Sequence, residues 1–215
     1  MLVERILKHV PALNRLRLSS LDGIEIDDRL FDLLSGEPRM MPHVHLSLQS
    51  GDNMILKRMK RRHSREQAID LVQRLKAKRP EIAIGADIIA GFPTETDAMF
   101  AHSLDIIDQC DVVHGHIFPY SPKKGTPAEK MPQVDGRIIK ERAKLLRNKA
   151  RAKASDWRHS LENSRQNILV ESSGLTGYAE NFARVQLNQP ALKGAIVPVE
   201  ITGSEGQTLI GKLSS

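Results

Sequence analysis

Pro42-His43-Val44-His45-Leu46-Ser47-Leu48-Gln49-Ser50-Gly51-Asp52 is the stretch that decides the fold class. Val44, Leu46 and Leu48 alternate with His45, Ser47 and Gln49, the period of a strand with one apolar face. Ser50-Gly51 reads as a tight turn, and Asp52 stands where a helix cap belongs. A strand that turns straight into a helix is the first half of a βαβ unit.

Outward from this stretch the pattern repeats. Strand-like runs fall at Arg15 to Ser19, His43 to Gln49, Ile82 to Ala90 and Val112 to Phe118. Between them, Asp27 caps a helix through Leu34. Ser64 and Gln67 form a capping box for Arg65 to Arg79, stopped by Pro80. Thr96 caps a helix through Gln109, with Phe100, Leu104 and Ile107 on its buried stripe. Such alternation predicts a parallel α/β sheet, barrel-like or open. Four units are too few to close a barrel. Met1-Leu2-Val3-Glu4-Arg5 also starts inside a helical pattern with no cap before it. The expectation is a partial (β/α) barrel whose first strands lie upstream of the chain.

The character changes after Pro132. Arg137 to about Ser160 reads as one basic helix, and short β runs follow at Ile168–Glu171, Tyr178–Gln186, Ala195–Ile201 and Thr208–Leu213. Their length and turn spacing suit a small all-β, OB-like domain. The expected division is 1–135, 136–164 and 165–215.

Composition sets the bounds. The 215 residues are 40% hydrophobic, enough for one sizeable core and a small appended domain. A net charge of +6 suits a polyanionic partner. No apolar run is long enough to span a bilayer or to act as a secretory signal, so a cytoplasmic location and no membrane partner are expected. The single cysteine, Cys110, rules out an intramolecular disulfide framework and a multi-thiolate metal cage from this chain alone. Late in a helix, it reads as a small buried hydrophobe.

Three segments carry candidate chemistry. Gln49 and Ser50, at a strand's C-terminal end, offer an amide and a hydroxyl to a ribose; equally, Ser50-Gly51 is a plain turn and Asp52 a helix cap. Gly85 to Thr96 ends an apolar strand in Gly91, which allows close backbone approach, with the acidic Glu95 near a helix start. Phe118 to Pro127 closes the last strand in a proline-pinned loop around Tyr120 and Ser121, or simply links it to the next helix.

Taken in order, Pro42 to Asp52, Lys57-Arg58-Met59-Lys60-Arg61, Asp87 to Thr96, and Phe118-Pro119-Tyr120-Ser121-Pro122 with Gly125-Thr126-Pro127 resemble the radical S-adenosylmethionine tRNA methylthiotransferases. Leu18-Ser19-Ser20 and Met131-Pro132-Gln133-Val134 are similar to the threonylcarbamoyladenosine branch, although Gly23 replaces an expected proline. The resemblance covers essentially the whole chain, weakly over the final β domain, which is similar to the RNA-binding TRAM domain. It implies S-adenosylmethionine and [4Fe-4S] clusters as cofactors and tRNA as substrate, with a methylthio group added at C2 of the modified adenosine. It maps Gln49 and Ser50 to the ribose, Gly91 and Glu95 to the motif beside the adenine, and Tyr120 and Ser121 to the adenine-facing strand end. The family's cysteine triad is not in the sequence. The chain alone is therefore expected to lack catalytic residues and activity, and to need an N-terminal half.

Basic residues cluster twice. Lys57, Arg58, Lys60, Arg61, Arg62 and Arg65 lie close together. The later helix carries Arg137, Lys140, Arg142, Lys144, Arg147, Lys149, Arg151, Lys153 and Arg158 against only Glu141 and Asp156. The imbalance favours phosphate contact by Lys57, Arg58, Lys60, Arg61, Arg62, Arg147 and Arg151 over a merely solvated face. Base stacking would rest on Tyr178, Phe182 or Trp157, the last more naturally an anchor between domains. Two further readings compete: a standalone RNA-binding remnant, and a barrel hydrolase holding a metal through His43-Val44-His45 and His114-Gly115-His116. Against the second, both pairs begin near strand starts, the wrong end for a barrel site, no further Asp or His stands clearly at a C-terminal strand end to complete it, and no metal ligand is assigned.

Overall fold

In a computed structural model, which describes residues 1–214, the first local signals act as expected. Helix α1 spans Leu2–His9. The Asp27 carboxylate accepts from the Leu30 amide at 2.8 Å and starts α2, Asp28–Gly36. Strand β1, His43–Gln49, turns into α3, Asn53–Arg58, where Asp52 accepts from the Met54 and Ile55 amides. Ser64 and Gln67 close their capping box on α4, Arg65–Lys78. Strand β2, Ala83–Ala90, leads to α5, Asp97–Gln109, capped by Thr96, and then to β3, Val112–Pro119.

The sheet order is β1-β2-β3, and both pairings are parallel. Val44, Leu46, Ile84, Ala86 and Ile88 are buried with residues of the surrounding helices in one core. Alternation sends His43, His45, Ser47 and Gln49 of β1, Asp87 of β2, and His114 and His116 of β3 to the opposite face.

Two sequence expectations are corrected here. Arg15 to Ser19 is not a strand. Leu16 in it makes one isolated parallel bridge to Met40, and Leu21, beyond the kink at Ser20 (φ 54°), makes another to Leu46. On α5, Phe100 and Ile107 are buried as expected, but Ser103 and Ile106 join them while Leu104 is half-buried. The small Ser103 lets the β1–α3 turn come close. A Cβ on Gly51 would lie 2.2 Å from the His102 carbonyl oxygen.

Helix α6, Gly136–Ser160, packs against β3, β2 and α5. Beyond it, β4 (Arg165–Val170), β5 (Thr176–Tyr178), β6 (Arg184–Leu187), β7 (Ile196–Glu205) and β8 (Thr208–Leu213) form a closed barrel in the order β4-β5-β6-β8-β7. All its pairs are antiparallel except β6 with β8. The single run expected over Tyr178–Gln186 is two strands, broken by a turn in which Phe182 has φ 69°. This barrel has its own core of Ile168, Val185, Val199, Ile201 and Leu209, on which Trp157 of α6 and Leu161, just past its end, pack.

Candidate functional site

Parallel strands bring their C-terminal ends to one edge of a sheet, and loops there carry side chains without disturbing the ladder. Here Gln49 ends β1, and Gly91 and Tyr120 follow β2 and β3, at that edge. Gln49 ends its strand with φ 65°, a left-handed conformation uncommon outside glycine. It lines a cleft of about 430 Å³ with Arg58, Lys60, Arg61, Phe92 and Pro127. The amide singled out for a ribose and part of the basic cluster singled out for phosphates thus share one opening.

The other expected contacts are placed differently. Ser50 has no exposed surface. Its hydroxyl lies 3.4 Å from that of Ser103 and accepts from the Asp52 amide at 3.2 Å. The left-handed Gln49 ends the extended run, and the turn after it puts Ser50 against Ser103 of α5 while Gln49 lines the cleft. Gly91 has φ 72°, and a Cβ there would sit 2.6 Å from the Ile139 side chain. Its freedom serves the approach of α6. Glu95 is buried, with Oε2 accepting from the Gly91 amide at 3.0 Å and from Arg142 at 2.9 Å. Burial pushes its carboxyl up, against the opposing pull of Arg142. Oε1 has no partner among the described residues. The Tyr120 ring meets Phe92 edge-on at 5.3 Å, its amide donates to the Ala90 carbonyl at 2.9 Å, and its shielded hydroxyl has no partner among the described residues. Ser121 is exposed in the following loop.

The cations also sort. Lys57 and Lys60 are exposed and make no ion pair among the described residues. Arg58 donates to the Thr94 carbonyl at 3.4 Å, Arg61 to the Ser47 carbonyl at 3.0 Å, and Arg62 pairs with Glu25 at 2.9 Å. Arg61 also lies 3.3 Å from Asp22. Along α6, sequence reasoning set only Glu141 and Asp156 against the basic residues. Folding adds acids from α5 and the turn after it: Asp97 meets Arg142 at 2.6 Å, Asp108 meets Lys149, and Asp111 meets Lys153 at 2.8 Å. Arg147 and Arg151 line a second opening of about 500 Å³ beside β3, with Trp157, Tyr178, Phe182 and Arg184. Tyr178 and Phe182 stack on each other at 4.7 Å, and the Arg17 guanidinium lies 3.8 Å over Phe182. Trp157 meets the His114 ring at 4.9 Å.

A further cluster escaped sequence reasoning. Asp87 stands between the two histidine pairs, 2.9 Å from His45 Nε2 and 3.3 Å from His116 Nδ1. Asp87 lies inside β2 and not at its C-terminal end, where sequence reasoning looked for a further ligand. The missing signal was register: Asp87 is the direct partner of His116, and sequence distance hides that.

Comparison with known proteins fits this fold. Residues 3–107 match the Radical SAM superfamily. The chain is 47% identical over 204 residues to "Threonylcarbamoyladenosine tRNA methylthiotransferase MtaB" of Rickettsia prowazekii (strain Madrid E), covering 95% of this chain and 48% of that protein. It is 34% identical over 219 residues to "tRNA-2-methylthio-N(6)-dimethylallyladenosine synthase" of Rickettsia rickettsii (strain Sheila Smith), covering 97% of this chain and 49% of that one. The chain is thus similar to tRNA methylthiotransferases over nearly all of its length, and its first half to the radical SAM superfamily. It spans about half the length of the curated relatives it matches.

Proposed function

We propose that this chain supplies the C-terminal, tRNA-facing part of an enzyme that adds a methylthio group to C2 of N6-threonylcarbamoyladenosine in tRNA. The observation that carries the reading is the cleft at the strand ends, where Gln49 shares an opening with Arg58 and Lys60. A nucleoside-binding amide rimmed by cations suits a nucleotide within a polyanion. On this reading residues 1–135 are the C-terminal part of a radical SAM barrel, 136–164 a basic connecting helix, and 165–215 a TRAM-like RNA-binding domain. The chain acts in the cytoplasm, together with the remaining half of the enzyme.

The residues present fit S-adenosylmethionine in part. The cleft is within the roughly 300–1,000 Å³ usual for small ligands. Gln49 offers its amide there, and the unpartnered Tyr120 hydroxyl and exposed Ser121 stand at the same strand edge. Bound there, S-adenosylmethionine would supply the one-electron chemistry that defines its superfamily. Ser50, Gly91 and Glu95 are engaged in packing, so we assign them to shaping the strand ends.

Iron–sulfur ligation does not fit these residues. Such clusters are held by cysteine thiolates. Cys110 is wholly buried, and burial pushes its thiol up to about 12. We therefore expect no activity from the chain alone. The groove with Arg147, Arg151 and Trp157 supports a second reading, in which these residues act as an RNA-binding unit without catalysis.

In the complete enzyme, Gln49→Ala is expected to weaken S-adenosylmethionine binding by about 1 kcal/mol, the scale of one lost hydrogen bond. Unchanged affinity by calorimetry would move the ribose contact elsewhere.

A further inference from the structure

The open face of the sheet holds a group of side chains that the proposed function does not use. His45, Asp87 and His116 come one from each strand, and their donor atoms all lie within 4.8 Å of one another. We propose that they form a mononuclear site for a divalent transition-metal ion of the zinc, iron(II) or cobalt(II) type.

Geometry is the first support. Two ligands on one such ion, with bonds of about 2.0–2.2 Å, stand roughly 3 Å apart. Asp87 Oδ1 lies 2.9 Å from His45 Nε2 and 3.3 Å from His116 Nδ1. The two imidazole rings lie with centroids 4.7 Å apart, and His116 is exposed, which leaves its ring room to adjust. Two imidazoles and a carboxylate are a donor set for these metals, and the open side leaves positions for water.

Glycine is the second support, independent of the first. Gly85 is the register partner of His45, and a Cβ on it would lie 2.3 Å from His45 Nδ1. The absent side chain lets the imidazole lie across β2 with Nε2 aimed at Asp87. Charge is the third. Among the described residues the ion-pair partners of Asp87 are these two histidines, with no lysine or arginine. A divalent ion supplies the missing positive charge.

The site is independent of the tRNA reading, because the test reads metal uptake by the 215-residue chain. Tag-free protein is stripped with a chelator and titrated with Zn²⁺ by calorimetry, then with Co²⁺ by visible absorption. One ion per chain is expected. Asp87→Ala and His116→Ala should each weaken binding by roughly tenfold or more, at least the loss seen when an outer-shell partner is removed. His116 is exposed, so its variant keeps the fold, and circular dichroism checks this. His102→Ala, which removes an exposed histidine paired with Asp52, should bind like the parent. No saturable uptake, unchanged affinity in the His116 variant, or an equal loss in the His102 variant would overturn the proposal, leaving a hydrogen-bonded trio.

Discussion

Arg142, in the second turn of α6, reaches the buried carboxylate of Glu95 at 2.9 Å and the Glu95 carbonyl at the same distance. Glu95 in turn holds the Gly91 amide, so this pair ties the end of β2 to both α5 and α6. The cleft that Gln49 and Phe92 line rests on that tie.

Removing one partner of a buried pair strands the other charge. Arg142→Ala should therefore cost about 3–5 kcal/mol of unfolding free energy, while Arg142→Met with Glu95→Gln should recover much of it. Urea denaturation measures both. A loss below about 1 kcal/mol in the single variant is the range of an exposed pair and would show that Arg142 is not holding the strand end.

The turn after β1 separates packing from binding. Ser50→Ala should cost about 1 kcal/mol of stability through its lost hydrogen bonds and leave ligand affinity unchanged. Gly51→Ala should cost about 1–3 kcal/mol, because its Cβ meets the backbone of α5 rather than a movable side chain. Paired unfolding and S-adenosylmethionine titrations of the complete enzyme check this. A binding defect in a Ser50→Ala variant of normal stability would return Ser50 to the cleft.

Asp111 makes part of the stability pH-dependent. Burial alone would raise its carboxyl, but hydrogen bonds and charge from Lys153 and Lys76 more than reverse this and hold it below the ordinary range. An acid whose folded value is depressed binds protons more readily when unfolded. Its contribution is complete above the ordinary aspartate value of 3.8 and is lost as pH falls from there toward the depressed folded value. Asp111→Asn also tolerates the φ of 44° at this position. Unfolding curves from neutral to acidic pH should fall less steeply for this variant than for the parent, and parallel curves would count against the linkage.

What the sequence made legible was local. Asp27, Asp52, Ser64 and Thr96 cap their helices through hydrogen bonds to amides two or three residues away, so each signal lies within a few positions. The alternation that found β1 did not contain the fate of Ser50, which lies past the strand and after the left-handed Gln49. Other features depended on distance. Asp97, Asp108 and Asp111 neutralise α6 only because α5 and the turn after it lie alongside, and Asp87 meets His45 and His116 only through strand register. Phe182, at positive φ, broke a run whose side-chain pattern gave no warning.

The central claim, that the cleft and its cationic rim hold tRNA, is tested most directly by binding across a salt series. Lys57 and Lys60 are the variants of choice, because Arg61 and Arg62 already have acidic partners. Phosphate contacts release counterions, so the logarithm of affinity should fall linearly with the logarithm of salt concentration. Lys57→Ala with Lys60→Ala should make that slope shallower by about one unit per lost contact and weaken tRNAs of different sequence alike. Coincident slopes for parent and double variant would contradict the account and leave the two lysines as solvated surface.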